Sequence, residues 1–259
     1  MLDTIAEILL YIVVPTLSIG IIIYAFSNNK KDINKDEKYQ VRFKIKSGKF
    51  QIDNIKRGAS VIGSAGSGKT ESIVYGFLKH FRKENFCGII HDYKDFELTE
   101  MAYPLFKDGN IPFKIISFDK IIHRVNPIAP RYLENEESVN EVSRVLIENL
   151  LEQRESGTTG TTKFFNDAAE GLISGKDSER QTAGVKSTLA NALKRISTQR
   201  IFMALSADEV PLNINHKDNP TVISIVNNPK FETSYSPVIA TVIHTITKQM
   251  SVRNSEPSF

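Results

Sequence analysis

One octapeptide constrains this chain more than any other feature. Gly63-Ser64-Ala65-Gly66-Ser67-Gly68-Lys69-Thr70 fits the pattern GxxxxGK[ST], a loop that cradles phosphate when a strand precedes it and a helix follows. The flanks agree with that context. Ala59–Ile62 is a short apolar run ending in glycine and predicts a buried strand. From Lys69 to Lys83 the apolar residues Ile73, Val74, Phe77, Leu78 and Phe81 recur at helical spacing. Each loop residue has a chemical reason. The small side chains from Ser64 to Ser67 let the backbone wrap a β-phosphate and aim its N–H groups inward, and the helix start adds its positive end. Lys69 would neutralise the β- and γ-phosphates, and the Thr70 hydroxyl would ligate Mg²⁺. Gly63 to Thr70 are therefore the predicted nucleotide-binding residues, with ATP and Mg²⁺ as cofactors. A bare glycine turn is the competing explanation. A chance match in a chain of this composition is on the order of 1%, which favours the phosphate loop.

The rest of the body alternates strands and helices. Phe86–Ile90, Phe113–Phe118 and Thr221–Val226 read as strands. Glu136 to Gln153 reads as a helix with Val139, Val142, Leu146 and Leu150 on one face. Ser178-Glu179-Arg180-Gln181 is a capping box opening a helix that turns Val185, Leu189, Leu193 and Ile196 inward. Ser236-Pro237 reads as an N-cap and first helical position, with Val238, Val242, Ile246 and Met250 behind it. Glu155 to Thr162, rich in Gly and Thr, reads as a loop. This alternation predicts an α/β fold, a parallel sheet with helices on both faces.

Hydrolysis would require an acid at a strand end to hold the metal and polarise water. Two positions offer one. Asp92 follows Cys87-Gly88-Ile89-Ile90-His91, and Asp119 follows Ile115-Ile116-Ser117-Phe118. Asp92 is the better placed and joins Lys69 as a candidate catalytic residue, although an Asp at a strand end can equally cap the next turn. Asp208-Glu209 follows a short, weakly apolar run and reads as loop. Arg124 and Arg180 are conceivable trans-acting arginines, with surface ion pairs the commoner use. His91, His123, His216 and His244 have no ligand spacing, so no metal beyond Mg²⁺ is expected.

The N-terminus reads as a membrane anchor. Ile8 to Phe26 carries no charge over 19 residues, about 28 Å of helix at ~1.5 Å per residue, close to the hydrocarbon thickness of a bilayer. Asp3 and Glu7 precede the run, and Lys30, Lys31, Lys35 and Lys38 follow it. This polarity places the body in the cytoplasm, behind a single span in the inner membrane. Neither a basic n-region nor a small-residue cleavage site argues for a signal peptide. Residues 27–58 hold ten basic and four acidic residues, more positive excess than the net +3 of the whole chain. They read as a basic juxtamembrane linker drawn to anionic lipid, or alternatively to a nucleic-acid backbone. The predicted organisation is a transmembrane anchor over 1–26, the linker over 27–58, and a nucleotide-binding domain over 59–259. Composition excludes other classes. One cysteine, Cys87, leaves no disulfide framework. At 41% hydrophobic and 24% charged residues, the bulk of the chain is not disordered.

Several segments together resemble the TraG/TraD-type coupling proteins of conjugative type IV secretion, and most of all the mobilisation-linked branch found in Bacteroidetes. They are the loop with Lys69-Thr70-Glu71, the strand end His91-Asp92-Tyr93-Lys94, Val125-Asn126-Pro127-Ile128, and Lys163-Phe164-Phe165-Asn166-Asp167-Ala168-Ala169-Glu170-Gly171. Asp177 to Gly184 and Asn219 to Met250 complete the set. The resemblance implies a P-loop NTPase of RecA-like, FtsK–HerA kind, hexameric when intact, membrane-anchored, coupling ATP hydrolysis to transfer of single-stranded DNA. Its implied partners are a relaxase complex and the secretion channel. Two departures stand out. The helical domain expected between the FFNDAAEG and DSERQTAG segments is replaced by Leu172-Ile173-Ser174-Gly175-Lys176, and the family's Walker B strand would follow Ser251 to Phe259. The chain therefore reads as internally deleted and C-terminally truncated. An FtsK-like DNA translocase and a non-hydrolysing nucleotide-binding remnant are the alternatives.

Overall fold

The computed structural model describes residues 37–45, 48–152 and 193–251, together with Thr16, Ile19, Ala190 and Asn191. Apart from Thr16 and Ile19, the predicted membrane span lies outside the described residues, as do the Glu155–Thr162 loop, the FFNDAAEG segment and the capping box with Arg180. Among the described residues no helix is long and apolar enough to cross a membrane. The chain divides into two compact units, residues 1–62 and 63–259.

In the first unit, the stretch expected to be linker contains an antiparallel hairpin. Strand β1 (Val41–Ile45) pairs with β2 (Gly48–Ile52) in the register Val41↔Ile52, Phe43↔Phe50. The cause is period-two alternation. Val41 and Phe43 fall on one face and Arg42 and Lys44 on the other, and Phe43 meets Phe50 at 5.8 Å between ring centroids. Arg42 Nε donates across the ladder to Gln51 at 3.1 Å. Counting charge alone hides this pattern, because Arg42, Lys44 and Lys49, three of the ten basic residues that suggest a linker, are exposed residues of the two strands. Asn54 then caps a short 3₁₀ turn, Ile55–Arg57, by accepting from the Lys56 N–H.

The second unit is α/β. Its sheet is three-stranded and parallel in the order β3 (Gly88–Asp92), β5 (Val222–Val226), β4 (Phe113–Ser117). Gly88 and Phe113 both stand opposite Val222, so the flanking strands share one register. All five residues of β5 are buried, as expected of a central parallel strand covered on both faces. Alternation along β5 divides the core. Ile223 and Ile225, with Ile116 of β4, join the larger cluster, which includes Val238, Val242 and Ile246 of α5 (Glu232–Ser251) and Ile201 and Ala204 of α4 (Gln199–Leu205). Val222 turns the other way, to Leu78 of α1 (Tyr75–Lys83) and Ala102 and Phe106 of α2 (Glu97–Phe106). Helix α3 (Glu136–Glu152) packs on α5, where Lys248 and His244 both reach Glu141.

Four sequence expectations change. The strand expected at Ala59–Ile62 does not form. These residues lie outside any strand, and Ile62 is 94% exposed. A four-residue apolar run becomes a strand only where a neighbour supplies backbone partners, and the sheet of described residues consists of β3, β5 and β4 alone. Helix α1 opens through a π-helical turn, Thr70–Val74. Helix α5 starts at Glu232, one turn before Ser236. Asn228 caps the short 3₁₀ turn Pro229–Phe231 just ahead of it, its side chain accepting from the Lys230 N–H. Tyr235 is drawn into the helix by packing on Phe118 at 4.9 Å. Finally, α2 had no counterpart in the sequence reading, because Pro104 inside it interrupts the helical pattern.

Candidate functional site

The loop from Gly63 to Thr70 has the backbone such a sequence permits. Gly66 and Gly68 have φ of 73° and 77°, the left-handed region that residues with a Cβ enter only under strain. A Cβ on Gly63 would come within 2.9 Å of Ser67 Oγ and 3.3 Å of Lys69 Cδ, so its lack of a side chain makes room for the lysine. Lys69 Nζ curls back over the loop. It donates to the carbonyls of Gly63 and Ser64 at 2.6 Å each and lies 3.4 Å from Ser67 Oγ. Among the described residues this ammonium meets only neutral oxygens of its own loop and no carboxylate, which makes it available to an anion placed there. Ser64, Ala65, Gly66 and Ser67 are all exposed, and Lys69 and Thr70 half-buried.

Thr70 has a partner that sequence spacing does not suggest. Its hydroxyl donates to Glu97 Oε1 at 3.2 Å, while Lys94 Nζ sits 3.1 Å from Glu97 Oε2. Glu97 is the first residue of α2, directly beyond β3, so the loop stands at the carboxyl end of that strand. In open parallel sheets this is where ligands bind.

The turn from β3 to α2 is strained and firmly held. Asp95 and Phe96 adopt φ of 50° and 75°, a conformation that costs of order 1–3 kcal/mol per residue and persists only when its surroundings enforce it. Asp92 enforces it. Its side chain is fully buried. Oδ1 accepts from the Lys94 N–H at 3.2 Å, and Oδ2 accepts from the Thr99 N–H at 2.8 Å and the Thr99 hydroxyl at 2.7 Å. The Thr99 hydroxyl in turn lies 2.8 Å from Ser224 Oγ on β5. Asn227 adds backbone bonds, its N–H to Asp92 O at 2.7 Å and its carbonyl to the Asp95 N–H at 3.1 Å. The geometry thus gives Asp92 the turn-capping alternative; its carboxylate is used up in positioning α2 and Glu97.

Asp119 is likewise engaged. Arg200 donates to Oδ1 at 2.5 Å, Tyr235 to the same oxygen at 2.9 Å and Asn228 to Oδ2 at 2.9 Å. Burial pushes the Tyr235 hydroxyl above its ordinary pKa, and the hydrogen bond to Asp119 adds to the rise. Arg124 pairs with Glu209 through Nε at 2.9 Å and its own N–H at 2.9 Å, which holds the Glu209 carboxyl below the usual range. Asp208 pairs with Arg131 at 2.7 Å. His123, lowered by burial, lies against the Ile115 backbone, and His91 is exposed. Among the described residues no three His, Cys, Asp or Glu side chains cluster as a metal site.

The structure therefore brings Gly63 to Thr70 and Glu97 together, and directs Asp92, Asp119 and Arg124 to structural bonds. Glu97 and Thr99 were not legible beforehand, since the turn that delivers them depends on a left-handed pair without glycine. The chain matches no model of a known protein family, and no curated protein is similar to it.

Proposed function

We propose that this chain binds a nucleoside triphosphate through Gly63 to Thr70, as a membrane-anchored P-loop ATPase of RecA-like kind that serves conjugative DNA transfer. The observation that carries the nucleotide reading is Lys69. Its ammonium is held over a glycine-rich loop by the Gly63 and Ser64 carbonyls and, at longer range, the Ser67 hydroxyl, at the carboxyl end of a parallel strand. ATP with Mg²⁺ fits the donor set. Backbone N–H groups and Lys69 suit the phosphates, and the Thr70 hydroxyl is a hard oxygen donor for the cation. The bound nucleotide would supply a transferable γ-phosphoryl group; the protein's part is to neutralise its charge with Lys69 and fix its position with the loop. The coupling role, with single-stranded DNA, a relaxase and a secretion channel as partners and a hexamer as the working form, rests on the resemblance to TraG/TraD-type proteins. The uncharged run from Ile8 to Phe26 supports the inner-membrane anchor.

A second reading has a specific observation in its favour. Both aspartates expected to activate water, Asp92 and Asp119, spend their carboxylates on structural hydrogen bonds. That arrangement favours a chain that binds nucleotide and turns it over slowly or not at all. The test is ATP binding and hydrolysis by the full chain, with and without single-stranded DNA, beside Lys69→Ala. Lys69-dependent turnover stimulated by DNA supports the motor. Lys69-dependent binding without turnover supports the nucleotide-binding remnant. An FtsK-like translocase would differ from a coupling protein in needing no relaxase. Absence of Lys69-dependent binding refutes the nucleotide reading altogether.

A further inference from the structure

We infer that Glu97 is the protein carboxylate that, with Thr70, holds the divalent cation of the bound nucleotide, a role that rests on the nucleotide reading of the loop. Glu97 Oε1 lies 3.2 Å from Thr70 Oγ1. Two adjacent ligands of one octahedral Mg²⁺, at metal–oxygen distances of about 2.1 Å, stand about 3.0 Å apart. The two oxygens are therefore within a few tenths of an ångström of the separation a shared ion requires.

The geometry selects Glu97 over the acids suggested by strand ends. Asp92 is fully buried and accepts three hydrogen bonds, and Asp119 accepts three from Arg200, Tyr235 and Asn228. The Glu97 side chain keeps 39% of its surface exposed, which leaves room for the water ligands that Mg²⁺ retains. Its position is built rather than incidental. Two consecutive non-glycine residues, Asp95 and Phe96, take left-handed φ values immediately before it, and Asp92, Thr99 and Asn227 hold that turn in place. Asp92 thereby acts as a positioning residue for the metal carboxylate. Lys94 completes the arrangement. Its ammonium, 3.1 Å from Glu97 Oε2, balances the carboxylate before a cation arrives and competes with that cation afterwards.

The experiment is a titration of the full chain in detergent with a fluorescent ATP analogue, read by anisotropy, in EDTA and in saturating Mg²⁺. For the native protein Mg²⁺ tightens binding. Glu97→Gln keeps the EDTA affinity and loses about tenfold or more of the gain due to Mg²⁺, the scale on which ligand-shell changes alter metal affinity. Glu97→Asp retains part of the gain. Lys94→Gln lowers the Mg²⁺ concentration needed for half the effect, and this variant decides the matter if Glu97→Gln does not give the cooperative melt of a folded chain. A full Mg²⁺ gain in Glu97→Gln, or an unchanged Mg²⁺ dependence in Lys94→Gln, overturns the assignment while leaving the nucleotide reading intact. A native chain that binds the analogue equally well in EDTA and Mg²⁺ overturns it too. A native chain that does not bind the analogue at all removes both.

Discussion

Asp92 and Thr99 are joined twice, through the Thr99 N–H at 2.8 Å and the Thr99 hydroxyl at 2.7 Å, both to Oδ2 of a fully buried carboxylate. Seven residues apart in sequence, they tie the end of β3 to the first turn of α2. Together with the Asn227 backbone bonds, this pair holds the turn that makes Glu97 a neighbour of Thr70. It turns a strand-end aspartate, the sequence pattern of a catalytic acid, into a helix cap.

Replacing Asp92 tests that reading. Asp92→Ala leaves the Thr99 N–H and hydroxyl with a lost acceptor in a buried setting, a loss of about 1–3 kcal/mol. Thr99→Val, which removes the hydroxyl donor, should destabilise by a comparable amount, measured by urea unfolding. An Asp92 that only activated water would instead reduce turnover and leave the unfolding midpoint in place.

Gly63→Ala separates the site from the fold. The added Cβ meets side-chain atoms of Ser67 and Lys69 at 2.9 and 3.3 Å, and both can move because the loop is exposed. Stability should stay within ~0.5 kcal/mol, whereas the displaced Lys69 should weaken nucleotide binding. The check is a thermal melt beside a binding titration on the same sample.

Two isoleucines measure which strand is real. Ile225 is fully buried at the centre of the sheet and Ile62 is 94% exposed. Ile225→Ala should cost about 2–5 kcal/mol, and Ile62→Ala no more than ~0.5 kcal/mol. A large loss from Ile62→Ala would show that Ala59–Ile62 is a buried strand after all.

The α3–α5 contact carries a pH dependence. A hydrogen bond from Lys248 holds the Glu141 carboxyl below its ordinary pKa against the opposing effect of burial, and the charges of Lys248 and His244 add to the lowering. A depressed carboxylate contributes stability that is present above its unfolded pKa and lost as pH falls through the folded value. Glu141→Gln should therefore be less stable than the native chain at neutral pH. The difference should fade once acid passes below the ordinary glutamate range near ~4.3. Because the Glu141 side chain is 46% exposed, the neutral-pH difference should be about 0.2–1 kcal/mol. Unfolding free energies measured from neutral to acid pH provide the check.

Much of this was legible in the residues. The apolar runs at Phe113 and Thr221 and the amphipathic stretch from Glu136 became β4, β5 and α3 with ends displaced by a residue or so, because hydrophobic periodicity survives whatever the neighbours are. The glycine loop was legible for the same local reason: positive φ at Gly66 and Gly68 is a property glycine supplies by itself. The hairpin β1–β2 was equally present in the alternation of Val41, Arg42, Phe43 and Lys44, where the charged residues that favour a linker are also the exposed face of a strand.

What the sequence determined by itself is the strongly periodic elements β4, β5 and α3 and the glycine-supplied backbone of the loop at Gly66 and Gly68, since both depend on residue type and short spacing. Only the tertiary structure decided which acids are spent and which one faces the loop. Asp92 and Asp119 look alike in sequence, and hydrogen bonds from Thr99 to the buried Asp92 and from Arg200 to the half-buried Asp119 turn both into structural acceptors. Glu97 stands by Thr70 because contacts from Asp92 and Asn227 enforce a left-handed turn. Such a turn is unfavourable locally and forms only when distant parts of the chain meet.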